Sequence, residues 1–204
     1  MKTNTHLNKL FAATLAAVTL GAAPAMADSI TDTAAPWSAA VNHDFRIVIP
    51  GFLYFRVGTD VAGTVNQITF TATVANVGNA TPIAGTGGEA AASAANVAVR
   101  GNTGQVTITE TNNSGGLGLG TGTVADGFIG YDKIATNSSD ANLPAPALSN
   151  ASNNTSLPVL NSVKTTNRTA VWTYAYANDT VPSAGNYGAG GGTGGRVTYT
   201  ATTP

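Results

Sequence analysis

The sequence predicts an all-β fold, an antiparallel β-sandwich with long Gly/Asn/Ser-rich loops. Three observations carry that expectation. Apolar residues alternate with Thr in several short runs, and period two with one apolar face marks a half-buried antiparallel strand. Gly, Asn, Ser and Pro clusters separate these runs, as they do between the strands of sandwiches and barrels. Beyond the first residues no long segment places apolar side chains at i, i+3, i+4 and i+7. Crossover helices are therefore missing, and a parallel sheet is disfavoured.

The N-terminal residues stand outside this fold. Lys2 and Lys9 form a basic opening, residues 10–23 are apolar, and Pro24 breaks the run before Ala25, Met26 and Ala27. That order is the pattern of a cleavable signal peptide over residues 1–27. It leaves residues 28–204 as a single β-sandwich domain at the cell surface or secreted, exported across the inner membrane. The apolar run is too short to span a bilayer comfortably and no second one follows, so no membrane span is expected after processing. The chain has no Cys. It is neither a disulfide-stapled scaffold nor a lipoprotein, and thiol chemistry is excluded.

Residues 43–57, HDFRIVIPGFLYFRV, are the most apolar stretch after the signal peptide. Pro50 and Gly51 divide it. A Pro-Gly pair favours a type I or II turn, whose twist suits a two-residue hairpin badly. The spacing therefore predicts a kink, with one strand ending at Ile49 and the chain resuming at Phe52. Phe45, Ile47 and Ile49 share one side of an extended chain, opposite Arg46 and Val48. This run is either the first strand of the domain or a segment donated to a neighbour.

The remaining strands follow in order. Within residues 65–74, Ile68, Phe70, Ala72 and Val74 alternate with Thr69, Thr71 and Thr73. Residues 89–95 suit a short helical turn or a small-residue loop. Residues 96–100 and 105–109 read as strands, with residues 101–104 as a hairpin turn between them. Residues 128–134 form a weaker strand, and residues 137–157 a polar surface loop. Residues 170–177 are a strong strand that puts Trp172, Tyr174 and Tyr176 on one face. Residues 196–201 close the chain. Ile68, Phe70, Val74, Val106, Ile108 and Val197 are the expected inward-facing set.

Chemistry-bearing residues are sparse. Only 9% of residues are charged, against about 25% in typical globular proteins. No basic cluster exists for phosphate neutralisation, so nucleic acid is not an expected partner. After the signal peptide His43 stands alone, without a GxSxG elbow, so neither a Ser-His-Asp arrangement nor a His-rich metal site is expected. Glu89, Glu110, Asp126, Asp132, Asp140 and Asp179 read as solvated loop acids, although paired acids serve glycoside hydrolysis. Asp126, Asp132 and Asp140 lack an EF-hand pattern for calcium. The Gly-rich residues 115–122 lack the ending of a phosphate-binding loop, and with residues 188–195 they read as loops. No cofactor is expected and no enzymatic activity. Trp172, Tyr174 and Tyr176 either fill the core or form a glycan-stacking platform.

The C-terminal region supplies a resemblance. Residues 172–178 (WTYAYAN), 183–187 (SAGNY) and 195–201 (GRVTYTA) form an A-G-x-Y turn leading into a final strand. This ending resembles secreted bacterial pilin-like β-sandwich proteins, the spore-coat-protein-U-like fimbrial subunits. The resemblance implies an immunoglobulin-like subunit exported by the general secretory pathway, which completes its sandwich with a strand from the next subunit. Phe45, Ile47 and Ile49 would then be the donor. It also implies self-association into a fibre or association with other surface subunits, with an export chaperone as a further partner. The expected function is a structural or adhesive surface protein, a pilus or biofilm-fibre subunit. An extracellular carbohydrate-binding module is the alternative.

Overall fold

The computed structural model describes residues 29–61, 63–90, 93–189 and 193–204. The expected signal peptide, residues 1–27, and the expected mature terminus Asp28 lie outside the described residues. The chain divides into two units, Met1–Val48 and Ile49–Pro204. All described strands belong to the second. They are β1 (Leu53–Val57), β2 (Ile68–Thr69), β3 (Ile83–Ala84), β4 (Thr86–Gly87), β5 (Ala94–Gly101) and β6 (Thr107–Asn112). There follow β7 (Leu119–Gly120), β8 (Phe128–Ile129), β9 (Ile134–Ser138), β10 (Thr155–Ser156), β11 (Thr166–Tyr176) and β12 (Val197–Thr202).

Every pairing between these strands is antiparallel, and the fold is an all-β sandwich. The larger sheet runs β1-β5-β11, with β3 and β9 flanking opposite sides of the C-terminal end of β11. The smaller sheet runs β10-β6-β12. Two-stranded ribbons, β2-β4 and β7-β8, complete the described pairings. The core lies between the sheets. The larger sheet contributes Val97, Val99, Ala170, Trp172 and Tyr174, and the smaller sheet contributes Ile108, with Val106 just before β6. Trp172 meets Tyr199 of β12 edge to face, with ring centroids 5.3 Å apart, a geometry that aromatic quadrupoles favour.

Several expectations need correction. Residues 101–104 are not a hairpin turn, because β5 and β6 lie in different sheets. Gly101 still pairs with Leu53 and with Thr166 at the end of the larger sheet. The chain then crosses to the smaller sheet, and Val106 is buried on the way. The strand expected over residues 65–74 contracts to Ile68–Thr69. Ile68 and Phe70 pack against the core, but Val74 is fully exposed. The cause is a turn. The Thr73 amide and hydroxyl donate to Asn76 Oδ1 at 2.6 and 2.9 Å, and the Thr73 carbonyl accepts from the Asn76 and Val77 amides.

The strand expected over residues 128–134 is interrupted by a 3-10 turn at Tyr131–Lys133 and resumes as β9. Within residues 89–95, Ala94 and Ala95 are strand residues of β5, while Ala91 and Ala92 lie outside the described residues. Residues 137–157 are not simply a surface loop, since Leu143, Leu148, Pro146 and Ser156 are buried. Trp172 Nε1 donates to the Leu143 carbonyl at 3.1 Å. A buried indole N–H requires such a partner, and this loop supplies it.

Candidate functional site

The described part of the first unit, residues 29–48, is almost entirely exposed chain. Over residues 29–48 there is no strand pairing among the described residues. Asp32 organises one local turn, its carboxylate accepting the Ala34 amide at 3.0 Å and the Ser38 amide at 2.7 Å. Those backbone donors, Ser38 first, hold its carboxyl below the usual range. Apolar side chains are nonetheless frequent here. Trp37 and Val41 are exposed, Phe45 is 92% exposed and Ile47 is 85% exposed. Ile49, the first residue of the second unit, is 74% exposed. Soluble monomers scatter single apolar residues over their surfaces, but Phe45, Ile47, Val48 and Ile49 are nearly consecutive, and all are exposed.

The structure thus divides the apolar run of residues 43–57. Leu53–Val57 is β1, and Phe55 and Val57 pack against the core. Phe45, Ile47 and Ile49 lie in no described strand. The division falls at the expected kink, and Asn102 holds it. Its Oδ1 accepts the Phe52 amide at 2.9 Å and its Nδ2 donates to the Pro50 carbonyl at 2.8 Å. Its own amide donates to the Phe52 carbonyl at 3.3 Å. A two-residue hairpin at Pro50-Gly51 would need the Phe52 amide to close on the Ile49 carbonyl. That amide is engaged by Asn102, so Pro50-Gly51 does not close as a two-residue turn.

Among the described residues β1 and β12 each have one strand partner, as do β3, β9 and β10. β1 ends the larger sheet and β12 ends the smaller one, and their Cα atoms approach within 8 Å. Inward residues of the interior strands are buried, as Val97, Val99, Ile108 and Trp172 show. Those of the two edges are only half-buried: Phe55 and Val57 on β1, and Val197, Tyr199 and Ala201 on β12.

Trp172, Tyr174 and Tyr176 form one face, but that face is interior. Trp172 has no exposed surface, and both tyrosines are buried. The Tyr174 hydroxyl lies 3.1 Å from that of Tyr199. A sugar ring stacks on an open aromatic face, and none of the three offers one. The glycan platform on these residues is therefore corrected to core packing.

The acids are engaged separately. Glu89 accepts the Asn96 amide at 3.0 Å, Asp126 accepts the Thr121 hydroxyl at 2.7 Å, and Asp140 accepts the Asn142 amide at 2.9 Å. Asp179 pairs with Lys133 at 2.7 Å. The hydrogen bond to Asp179 raises the lysine above its ordinary value and lowers the carboxyl. Glu110 is the exception among the acids read as solvated, being wholly buried on β6. Among the described residues no group of three or more His, Asp or Glu could hold a metal ion. In the Gly-rich residues 115–122, Leu119 and Gly120 form a strand pair with β8. Gly118 has φ +101°, and a Cβ there would lie 2.4 Å from the Ile129 carbonyl oxygen, so that position requires glycine.

Sequence reasoning found the arm but missed the clasp that directs it. Asn102 is distant in sequence from Pro50, and no local pattern announces such a bond. The open β12 edge left a trace that could have been read, since Val197–Thr202 contains no charged residue. No family model matches this chain, and no curated protein or solved structure matches it either.

Proposed function

We propose that this chain is an exported structural subunit with an immunoglobulin-like sandwich, and that it assembles into a surface fibre by β-strand addition. Phe45, Ile47 and Ile49 are the donor residues. The carrying observation is the exposure of these alternating side chains on a chain that enters no described strand. Burying a large apolar side chain is worth about 1.5–3 kcal/mol, and within one subunit that gain is not collected here. A second copy with an open sheet edge would collect it, with main-chain bonds giving affinity and alternate side chains giving specificity. The low charge supports the same reading, because few like charges oppose the stacking of identical subunits.

The test uses protein recovered from outside the cell. Mass spectrometry should give a mature N terminus at Asp28, and negative-stain microscopy should show filaments whose length grows with protein concentration. Deleting residues 28–49 should abolish filaments while leaving a cooperatively folding domain. An intact protein that stays monomeric at high concentration would overturn fibre assembly, and one that retains residues 1–27 would overturn processed export.

A further inference from the structure

We propose that the outer face of the larger sheet carries a binding site for an uncharged sugar ring, one residue of a polysaccharide, gripped by Arg56. The site lies wholly within the second unit and does not depend on fibre assembly. Strand register and the state of one guanidinium define it.

Val97, Val99, Ala170 and Trp172 face the core, so the residues alternating with them face outward. Pairing sets these in two adjacent rows. Arg56, Ala98 and Thr169 make one, since Ala98 pairs with both of the others. Gly58, Asn96, Val171 and Ser139 make the next. The Gly58 amide donates to the Asn96 carbonyl at 2.8 Å, Asn96 pairs with Val171, and the Ser139 amide donates to the Val171 carbonyl at 2.9 Å. A hollow of about 250 Å³ lies here, lined by Arg56, Asn96, Thr169, Val171 and Ser139. Val97 and Ala170 also line it, and with their side chains turned to the core they offer it backbone. Ala98 has only a methyl and Gly58 has no side chain, so neither row fills the space.

Arg56 supplies the reason for a ligand. Its Nε is buried without a hydrogen-bond partner, and its ion pair with Asp60 is long, at 3.8 Å, to a side chain that is 69% exposed. A guanidinium carries five donors in a planar fork, and buried donors ordinarily have acceptors. Charge then selects the class of ligand. Glu89 also bears on Arg56, its carboxyl held below the ordinary value by Asn96 first and by the Arg56 charge in smaller part. One cation beside two carboxylates disfavours an anion, and Arg56 itself disfavours a cation. A sugar hydroxyl is uncharged and both accepts and donates, so it suits this mixed set. The Ser139 hydroxyl accepts the Val171 amide at 2.8 Å and keeps its own proton to donate, while Thr169 is exposed. Val171 adds apolar contact for a ring face. The volume falls just below the roughly 300–1,000 Å³ of pockets for drug-sized molecules, as one ring requires.

The test titrates the full exported chain with the methyl glycosides of glucose, galactose, mannose and N-acetylglucosamine, and with sodium glucuronate as the anionic comparison. Nuclear magnetic resonance reads the Arg56 Nε–H and the Asn96 and Val171 amides. At least one uncharged probe should shift these signals saturably by about 100 mM, where a complex of roughly 10 mM affinity is mostly formed. Arg56→Gln should weaken that binding about tenfold or more, as loss of a hydrogen bond to a charged group does. Thr169→Val, which keeps the shape and removes one hydroxyl, should weaken it about threefold. The urea midpoint of each variant separates lost binding from lost folding, and if Arg56→Gln does not fold, Thr169→Val decides. No saturable shift with any probe, shifts confined to another surface, or unchanged affinity in the folded variants would overturn the site. Tighter binding of glucuronate than of every uncharged probe would overturn the choice of an uncharged ligand.

Discussion

Glu110 shows how one side chain can set the response of the whole fold to pH. It lies on the inward face of β6 with no exposed surface. Oε1 accepts from Asn112 Nδ2 at 3.0 Å, and Oε2 has no hydrogen-bond partner. Burial raises its carboxyl above the ordinary value, and the Asn112 bond only partly opposes this. The same interior pushes the Tyr131 phenol up to about 12, through burial first and the Glu110 charge second. Tyr199 is raised for the same leading reason, and Tyr174 too. A carboxyl whose folded value is raised binds its proton more tightly in the native state than in the unfolded chain. Its stabilising contribution is complete below the unfolded value of about 4.3 and is lost as pH rises through the folded value. Asp140 and Asp179, both lowered, act in the opposite sense. Comparing Glu110→Gln with the unmodified protein isolates the one term. Urea unfolding across the acid-to-neutral range should show stability falling less with rising pH in the variant. Parallel profiles for the two proteins would show that the buried carboxyl does not govern this response.

At the scale of elements, Asn102 joins two features that the sequence separates. Its side chain continues the β1-β5 ladder by one rung and fixes Pro50 and Phe52. Asn102→Ala removes both side-chain bonds from a solvent-exposed site. Each bond is worth about 0.5–1.5 kcal/mol, and exposure places the total toward the lower end. We expect a loss of about 1 kcal/mol in urea unfolding, with faster hydrogen exchange at the Phe52 amide. An unchanged exchange rate there would show that the clasp does not hold the kink. The same residue shows what local pattern can reveal. Alternation located β5, β11 and β12 because each strand has a core-facing side that its own sequence records. It also picked Val106 and Ile108 for the interior, and it put Trp172, Tyr174 and Tyr176 on one face while leaving core and glycan platform both open. Partner choice is not written in a strand, so β5 and β6 looked like a hairpin when Gly101 in fact ends one sheet and Thr107 begins the other. The Thr69-Thr71-Thr73 alternation overran into Val74 because the Thr73–Asn76 turn depends on one side-chain oxygen. Leu143 was hidden in a polar loop because its burial answers the need of Trp172, far along the chain, for a hydrogen-bond acceptor.

For the whole molecule, the question is whether the arm serves its own domain or another. Phe45, Ile47 and Ile49 are exposed by 92, 85 and 74%, so each makes little contribution to the stability of a single subunit. In a fibre the same three residues would be desolvated, each contributing about 1.5–3 kcal/mol to the contact between copies. The two cases separate in one variant, because stability of the monomer and growth of the polymer respond to different contacts. Replacing all three with Ser should leave the urea midpoint of the monomer within the scatter of ordinary surface changes, about 0.5 kcal/mol. On the proposed assembly it should also stop filament growth. Phe55 supplies the contrast, since it packs against the core from β1. Phe55→Ala should lower monomer stability, though by less than the roughly 3–5 kcal/mol of a fully buried Phe. If the Ser variant unfolds as readily as the Phe55 variant, the arm belongs to its own sandwich and fibre formation must rest on another surface. If the Ser variant is as stable as the unmodified chain and forms filaments equally well, the apolar arm plays no part in assembly.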